Sequence, residues 1–331
     1  MLARTPDELR VGVDETGGAR HQAAPGTILG GMGINEEVAR RTAGVMRSIR
    51  RRGALAVRDR VAGEDAATRA GEIWGSPGER WFSSADPICR VHGDASMYAG
   101  GLRALLLQAL HPLAMAGVAS HSGYQDDPWG RLQRTGGYIA TTTFGTIADA
   151  EATIAQVREI HQRIVGVAPD GRRYSASDPT LLRWVHLAEI ESFLMAYQAF
   201  GAGRLTPAEA DTYVAQSGVS AQLLGVPDPP TSVAEMHEQL ASYRPLLQDT
   251  EGSREVARFL LRRPPVSGLA RLGYQGLATG GVWLLEPWAR TMLHLDDPGE
   301  LGRRIGLGSS RLVRWLMADD SVQHPALGSA A

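Results

Sequence analysis

The chain of 331 residues contains no lysine, and all 34 of its basic residues are arginine. Lysine forms Schiff bases and contacts the phosphates in P-loop nucleotide sites, so both kinds of chemistry are excluded here. Arginine stays protonated in proteins and acts neither as a base nor as a metal ligand. A GC-rich coding bias is the simplest explanation of the pattern, but the chemical consequences hold in either case.

Cysteine and long apolar segments are also scarce. Cys89 is the only cysteine, which excludes an intrachain disulfide and a thiolate metal cluster and favours a reducing compartment. The longest apolar run, residues 104–119, contains Pro112 and is shorter than the roughly 20 residues of a membrane-spanning helix. Residues 1–26 lack the apolar segment of a secretory signal peptide. These absences predict a cytoplasmic protein with no membrane span.

The overall composition is that of an ordinary globular protein. Apolar residues make up 43% and charged residues 21% of the chain, which argues against wholesale disorder. The formal net charge of −2 provides no general attraction to nucleic acid or to anionic membranes. A polar stretch rich in glycine and alanine predicts a flexible N-terminal arm over residues 1–30. Residues 31–331 contain no clear linker, and we expect a single domain there.

Helical signals dominate the rest of the chain, and alternating strand patterns are nearly absent. Asp178 and Thr206 each precede a proline, as expected of residues that cap the start of a helix. Ser232, followed by Glu235, predicts a capping box. The sequence therefore predicts an all-α fold. Besides the helices that begin after Thr206 and Ser232, the predicted helices cover residues 36–52, 104–119, 131–144, 147–165, 178–200, 253–261, 274–284, 287–293 and 299–317.

Two histidines lie within the apolar run or just beyond its end. His111 precedes Pro112, which removes a helical hydrogen bond, and an imidazole there can satisfy a freed backbone group. His121 ends the same predicted helix, where a donor side chain suits the exposed carbonyl groups. For both residues a structural role is therefore expected somewhat more than a role as a ligand.

Two further histidines lie on predicted helices nearer the middle of the chain. His161 shares one helix face with three apolar residues: Val157, Ile160 and Ile164. This spacing turns the imidazole toward the core, where it needs a hydrogen-bond acceptor or a metal. On spacing alone the hydrogen-bonded core histidine is the more common of these outcomes. His186 lies one turn before Glu189, and the two side chains can pair.

Arg131 and Arg134 lie one turn apart on a predicted helix, with Thr135 beside them. Solvated arginines are the usual case, but two guanidinium groups can also bind carboxylates such as the propionates of a haem. Imidazoles on apolar helices near such donors are typical of a buried haem pocket. The HExxH, Cys-x-x-Cys, GxGxxG and GxSxG patterns are missing, which argues against zinc hydrolases, dinucleotide enzymes and α/β-hydrolases.

Several segments together resemble the catalytic domain shared by the rubber oxygenase (latex-clearing protein) and the MpaB oxygenases. The similarity runs from about residue 87 to residue 316 and rests on the order and spacing of its motifs. It implies a globin-like all-α core that holds a b-type haem and uses O₂ to cleave carbon–carbon double bonds in isoprenoid chains. The matching segments are GLRALLLQALHPLAMAGVASHS, DPWGRLQRT, VREIHQRIVG, YSASDPTLLRWVH, LLGVP, the pair Pro264-Pro265, and PWAR at residues 287–290.

The resemblance also assigns roles to single residues. By motif position, His161 is the proximal iron ligand, with His186 as the second choice. Arg131 and Thr135 fall where the rubber enzymes keep an arginine and a threonine near the haem. Arg134 replaces a lysine that binds the iron in those enzymes, which a guanidinium group cannot do. We therefore expect Arg131, Arg134 and Thr135 to act at the haem through charge and hydrogen bonds.

The implied partners are O₂ and a small apolar, unsaturated substrate of isoprenoid-like or lipid-like structure. The glutamate base proposed for rubber cleavage has no matching position, and a polymer cannot enter a cell, so rubber itself is not expected. His111 and His121 are expected to line or support the haem pocket. A non-catalytic haem or lipid carrier on the same fold is the alternative. The sequence predicts no nucleic-acid partner and is compatible with a homo-oligomer.

Overall fold

A computed structural model describes residues 41, 44, 66–121, 127–264, 266 and 268–318. The elements described below lie within residues 66–318. The predicted arm over residues 1–30 lies outside the described residues. So does the predicted helix over residues 36–52, apart from the helical residues 41 and 44.

The described part of the chain consists of α-helices, one 3₁₀ turn at Arg244–Leu246 and one antiparallel hairpin, β1 (Val165–Val167) with β2 (Arg173–Ser175). This architecture confirms the predicted all-α fold. The helices are α1 (Ala66–Gly75), α2 (Pro87–His92), α3 (Met97–Gln108), α4 (Pro112–His121), α5 (Pro128–Phe144), α6 (Ile147–Arg163), α7 (Pro179–Phe200), α8 (Pro207–Leu224), α9 (Val233–Ser242), α10 (Glu251–Arg262), α11 (Leu269–Leu284), α12 (Pro287–Met292) and α13 (Gly299–Met317).

Cap residues set the starts of α7, α8 and α9. Asp178 and Thr206 cap α7 and α8, and each side chain accepts a hydrogen bond from a backbone N–H of the first turn. The capping box predicted at Ser232 forms in part. The Ser232 hydroxyl accepts from the Glu235 N–H, whereas the Glu235 carboxylate accepts hydrogen bonds from Thr231. These caps fix where each helix begins and hence which of its faces points inward.

The apolar run over residues 104–119 forms two helices, whereas the sequence predicted one. α3 ends at Gln108 and α4 begins at Pro112, and the pair is bent by 106° at the break. Pro112 takes the first position of α4, where its missing N–H has no helical partner to lose. No single helix in the described ranges is long and apolar enough to span a membrane; α3 and α4 meet that test only as this bent pair.

α3 lies at the centre of the fold and packs against α7 and α11. Arg103 on α3 is completely buried and joins these elements. Its guanidinium group forms ion pairs with Glu191 on α7 and with Glu286, the latter at 2.9 Å. Its Nε donates a hydrogen bond to the Leu284 carbonyl, also at 2.9 Å. A charge this deep is tolerated because every side of the guanidinium group meets an acceptor.

The sequence did not predict the hairpin between α6 and α7, and it also missed the helices α1 and α2, the first residues of α3 and the 3₁₀ turn. Each strand has only three residues, which is too short for an alternating pattern to be visible. The turn contains Gly171 with φ of +85°, a conformation that favours glycine. The run of three threonines at 141–143, which are β-branched, is helical and belongs to α5. Helical packing therefore outweighs β-propensity there.

Candidate active site

α6 positions His161 in its last turn. The inward face of this helix carries residues spaced by three or four positions: Ala150, Ile154, Val157 and His161. Ala150 and Ile154 are buried, whereas Val157 and His161 are half-buried. The predicted apolar stripe is wrong in one member, because Ile160 is 41% exposed. Consecutive helical residues are rotated by about 100°, so Ile160 lies on the outer side when His161 lies on the inner side.

His161 has the properties of a ligand-binding imidazole. Burial lowers the pKa of His161 below its ordinary value, which keeps the ring neutral at pH 7. Its Nδ1 is buried and has no hydrogen-bond partner among the described residues. Because an enclosed nitrogen has no room for a metal, Nε2 is the atom through which this ring can bind one. A metal requires the neutral form of the ring, which burial favours here.

His186 on α7 is desolvated more strongly than His161. Burial lowers the pKa of His186 to about 4. Its Nε2 is buried without a hydrogen-bond partner in the described part of the chain, so this nitrogen does not pair with Glu189. Burial raises the pKa of Glu189 to about 7, and no neighbouring charge offsets that effect. Both side chains are therefore polar groups inside the protein that lack a charged partner.

Two hydroxyl groups complete this polar region. The Tyr138 hydroxyl on α5 lies beside Ser220 on α8, and burial together with the nearby Glu189 carboxylate raises the Tyr138 pKa. Tyr138, Ser220, His186 and Glu189, hereafter the polar cluster, keep some accessible surface although burial strongly shifts the pKa of the three titratable members. Tyr138 was not singled out from the sequence, although it lies one turn after Thr135, a spacing that could have found it.

The predicted arginine pair lies in the first turns of α5. Asp127 caps this helix and forms an ion pair with Arg134 at 3.3 Å, in which both side chains are more than half exposed. Thr135 is also exposed, and Arg131 is half-buried. An exposed ion pair contributes little to stability. The Arg134 guanidinium group is therefore held weakly and can turn toward another anion.

His111 belongs to an aromatic cluster in the core. It is 3% exposed, and its ring centroid lies 6.1 Å from that of Trp184 and 6.3 Å from that of Tyr243. Its Nδ1 lies 3.5 Å from the Ala114 N–H, in the first turn of α4. These contacts support the structural explanation. His121 is the last residue of α4, and its side chain lies outside the described part of the structure.

His92 is a half-buried histidine that sequence reasoning did not single out. Its Nδ1 lies 2.8 Å from the Thr143 hydroxyl and its Nε2 lies 3.4 Å from the Tyr213 hydroxyl. Burial lowers the pKa of His92 to about 3. Because both ring nitrogens have partners, His92 ties α2 to α5 and α8 and leaves no nitrogen for a ligand. In His161 and His186, by contrast, one buried ring nitrogen has no hydrogen-bond partner among the described residues.

Comparison with protein families agrees with the fold and with the order of the motifs. The model for the catalytic domain of the ER-bound oxygenases mpaB/B′ and the rubber oxygenases matches residues 89–318. The match covers more than half of the chain, which therefore belongs to this family of oxygenase catalytic domains. Searches of curated proteins and of solved structures returned no match. The resemblance predicted over about residues 87–316 is confirmed.

Proposed function

We propose that this protein is a haem b-dependent oxygenase that uses O₂ to oxidise a small apolar, unsaturated substrate of isoprenoid-like or lipid-like structure. Within this oxygenase family, the observation that carries the proposal is the neutral, half-buried His161 with its enclosed and unpartnered Nδ1. The porphyrin of a haem provides most ligands of its iron, so the protein needs to add only an imidazole. The described residues contain no group of three or more His, Cys, Asp or Glu side chains that could hold a metal ion. A single imidazole with a prosthetic group is the arrangement these residues fit.

When bound, a haem supplies the redox chemistry that activates O₂. The residues of the chain would bind and orient the reactants. His161 would hold the iron through Nε2. Arg131, Arg134 and Thr135 would bind carboxylates of the haem or orient the substrate by charge and hydrogen bonds. Since a guanidinium group cannot bind a metal, Arg134 would act on the reactants only through charge and hydrogen bonds.

Absorption spectroscopy of the purified, haem-reconstituted protein tests the ligand assignment. We expect a Soret band in the wild type and its loss or a marked shift in His161→Ala, because the substitution removes Nε2. His294→Ala is a matched control, since His294 is exposed and pairs only with Asp249, at 2.8 Å. A band that survives His161→Ala but disappears in His186→Ala would show that His186 is the ligand. A wild-type protein without a Soret band would contradict the proposed haem dependence.

Oxygen consumption separates an oxygenase from a carrier on the same fold. We expect the reduced, haem-loaded protein to consume O₂ when an isoprenoid alkene is added, and the His161→Ala variant to lose this response. A carrier would show the Soret band and would bind the alkene without consuming O₂. That result would replace the proposed enzyme with the alternative of a haem or lipid carrier.

A further inference from the structure

The outward side of α13 carries a stripe of apolar side chains. Leu301 and Leu312 are 68% and 50% exposed, and Ile305 and Trp315 are exposed as well. These four positions lie within an arc of about 80° on the helix surface. A helix that packs on a core normally exposes polar side chains on its outer side, so this distribution is unusual. The buried side of the helix consists of Gly302, Gly306, Ser310 and Val313.

α11 extends this stripe by one leucine. On α11, Gly280 packs against Gly306 of α13. Gly276, one turn earlier on α11, packs against Ser309, which lies later on α13, so the two helices run antiparallel. Leu272, one further turn earlier, is therefore level with the C-terminal half of α13, and it is 66% exposed. Contiguous apolar groups on a surface mark interaction sites. The α13 face is defined here as Leu272, Leu301, Ile305, Leu312 and Trp315.

Arginines border the α13 face along one edge. Arg304 and Arg311 are both exposed there, and residues 301–317 contain no aspartate or glutamate. Glu300, directly before the stripe, is paired with Arg303 at 2.7 Å and with Arg304 at 3.5 Å. Two arginines thus share one carboxylate, and this edge of the face carries a net positive charge.

The positions of these arginines argue against a second copy of the chain as the partner of the face. The stripe on α13 is centred on Gly308. Antiparallel pairing of two copies around this residue would bring Arg304 of each copy next to Arg311 of the other, and parallel pairing would bring each arginine next to its equivalent. Like charges at such flanking positions oppose the pairing of two helices. A partner that offers negative charge beside an apolar layer avoids this repulsion.

We propose that the α13 face binds the surface of an anionic phospholipid bilayer. The leucine, isoleucine and tryptophan side chains would enter the boundary between head groups and acyl chains, while Arg304 and Arg311 would contact lipid phosphates. α13 would lie parallel to the membrane plane and would not span it. An apolar substrate of the proposed class dissolves in bilayers, so binding there would bring the protein to its substrate. Only this purpose, and not the binding itself, rests on the proposed function.

Sedimentation of the purified full chain with lipid vesicles tests the proposal. One kind of vesicle consists of phosphatidylcholine alone, and the other of phosphatidylcholine and phosphatidylglycerol in equal parts. We expect the wild type to bind the anionic vesicles roughly tenfold more tightly and to lose this preference at high salt. Leu272→Ser combined with Leu312→Ser should weaken binding roughly tenfold, because two leucines no longer enter the bilayer. Arg304→Gln combined with Arg311→Gln should reduce the preference for anionic vesicles and its salt dependence.

Leu223→Ser on α8 and Arg254→Gln on α10 are the controls, since they remove a leucine and an arginine from other parts of the surface. Both should bind vesicles like the wild type. Equal binding to the two kinds of vesicle, or unchanged binding by the paired leucine variant, would overturn the proposal. So would a lack of binding to either kind, the result expected if protein covers the face. A wild-type dimer in size-exclusion chromatography that the leucine variant dissociates would then identify a second copy as the occupant.

The vesicle experiment is run with and without haem, so that its outcome is separate from that of the proposed function. Binding to anionic vesicles by a protein that shows no Soret band would refute the haem-dependent oxygenase and keep the membrane site. A Soret band and oxygen consumption without vesicle binding would do the reverse. Because the comparison of the two kinds of vesicle needs only the wild type, a variant that fails to fold leaves the test intact.

Discussion

Glu189 and Glu191 lie two residues apart on α7, yet the fold gives the two carboxyl groups opposite surroundings. Glu191 is 3% exposed and forms an ion pair with the fully buried Arg103. Glu189 has no charged partner, and burial raises its pKa to about 7. Positions two apart on a helix differ by about 200° in direction, so Glu191 faces α3 and Glu189 faces away from it, toward Tyr138 on α5.

The difference shows how buried polar groups can be sorted without knowing a ligand. A carboxylate whose oxygens meet a guanidinium group is part of the framework, and its removal leaves an uncompensated charge. A carboxyl group that is buried away from any counter-charge lowers stability by itself. Glu191 belongs to the first kind and Glu189 to the second. The predictions below test whether this distinction holds.

Removal of Arg103 should have the largest effect on stability. Arg103→Met keeps the length of the side chain but leaves the buried Glu191 carboxylate without its cation. We expect a loss of about 3 to 5 kcal/mol in the free energy of unfolding, measured by urea denaturation. The control Arg254→Met removes an exposed arginine paired with Asp249 and should change stability little. A loss no larger than that of the control would mean that the Arg103 network does not hold α3 and α7 together.

The two glutamates should respond to the same substitution with opposite signs. Glu191→Gln removes the charge that Arg103 requires, and we expect a loss of about 2 to 3 kcal/mol. Glu189→Gln removes a carboxyl group that no neighbouring charge stabilises, so the free energy of unfolding at pH 8 should stay the same or rise. Urea denaturation of both variants beside the wild type measures the difference. Equal destabilisation by the two substitutions would abolish the distinction drawn here.

α3 and α7, the two helices joined by the Arg103–Glu191 ion pair, are in close contact, and this contact allows a test with a smaller expected effect on stability. A Cβ at Gly100 would lie 3.0 Å from the Ser192 carbonyl oxygen and 3.1 Å from side-chain atoms of Phe193 and Ala196. Gly100→Ala should therefore cost about 1 to 2 kcal/mol, through overpacking against α7. Gly101→Ala is the matched control, because its Cβ would meet Phe193 only at 4.0 Å. Thermal unfolding measures the stability of both variants. Equal stability of the two would show that α3 and α7 have room to separate.

The wild type should also show a pH dependence of stability that belongs to Glu189. Its pKa is about 7 in the folded protein and near 4.5 when exposed, so the folded state binds more protons between these values. The contribution of Glu189 to stability is complete below pH 4.5 and is lost as the pH rises through 7. Relative to Glu189→Gln, the wild type should therefore lose stability from pH 4.5 to 7 and then level off. A constant difference across this range would show that Glu189 is not desolvated.

Much of the architecture follows from local sequence. Helix starts at Asp178 and Thr206 were predicted because a cap and its first turn lie within a few residues of each other. The helical period turned His161 inward correctly but placed Ile160 on the wrong side, because apolar character alone does not locate the centre of a buried face. Pro112 was predicted within a single helix, whereas the packing of the two segments decided that it begins a new one.

The all-α class, the membership in an oxygenase family and the choice of His161 as the first candidate ligand all follow from the amino-acid sequence, since caps, helical period and motifs are read from short segments. Which buried polar groups have partners became visible in the fold alone. Arg103 and Glu191, for example, meet across 88 positions of the chain. Whether a buried nitrogen or carboxyl group has a partner depends on residues far away in sequence, and no local pattern predicts which distant residues come into contact.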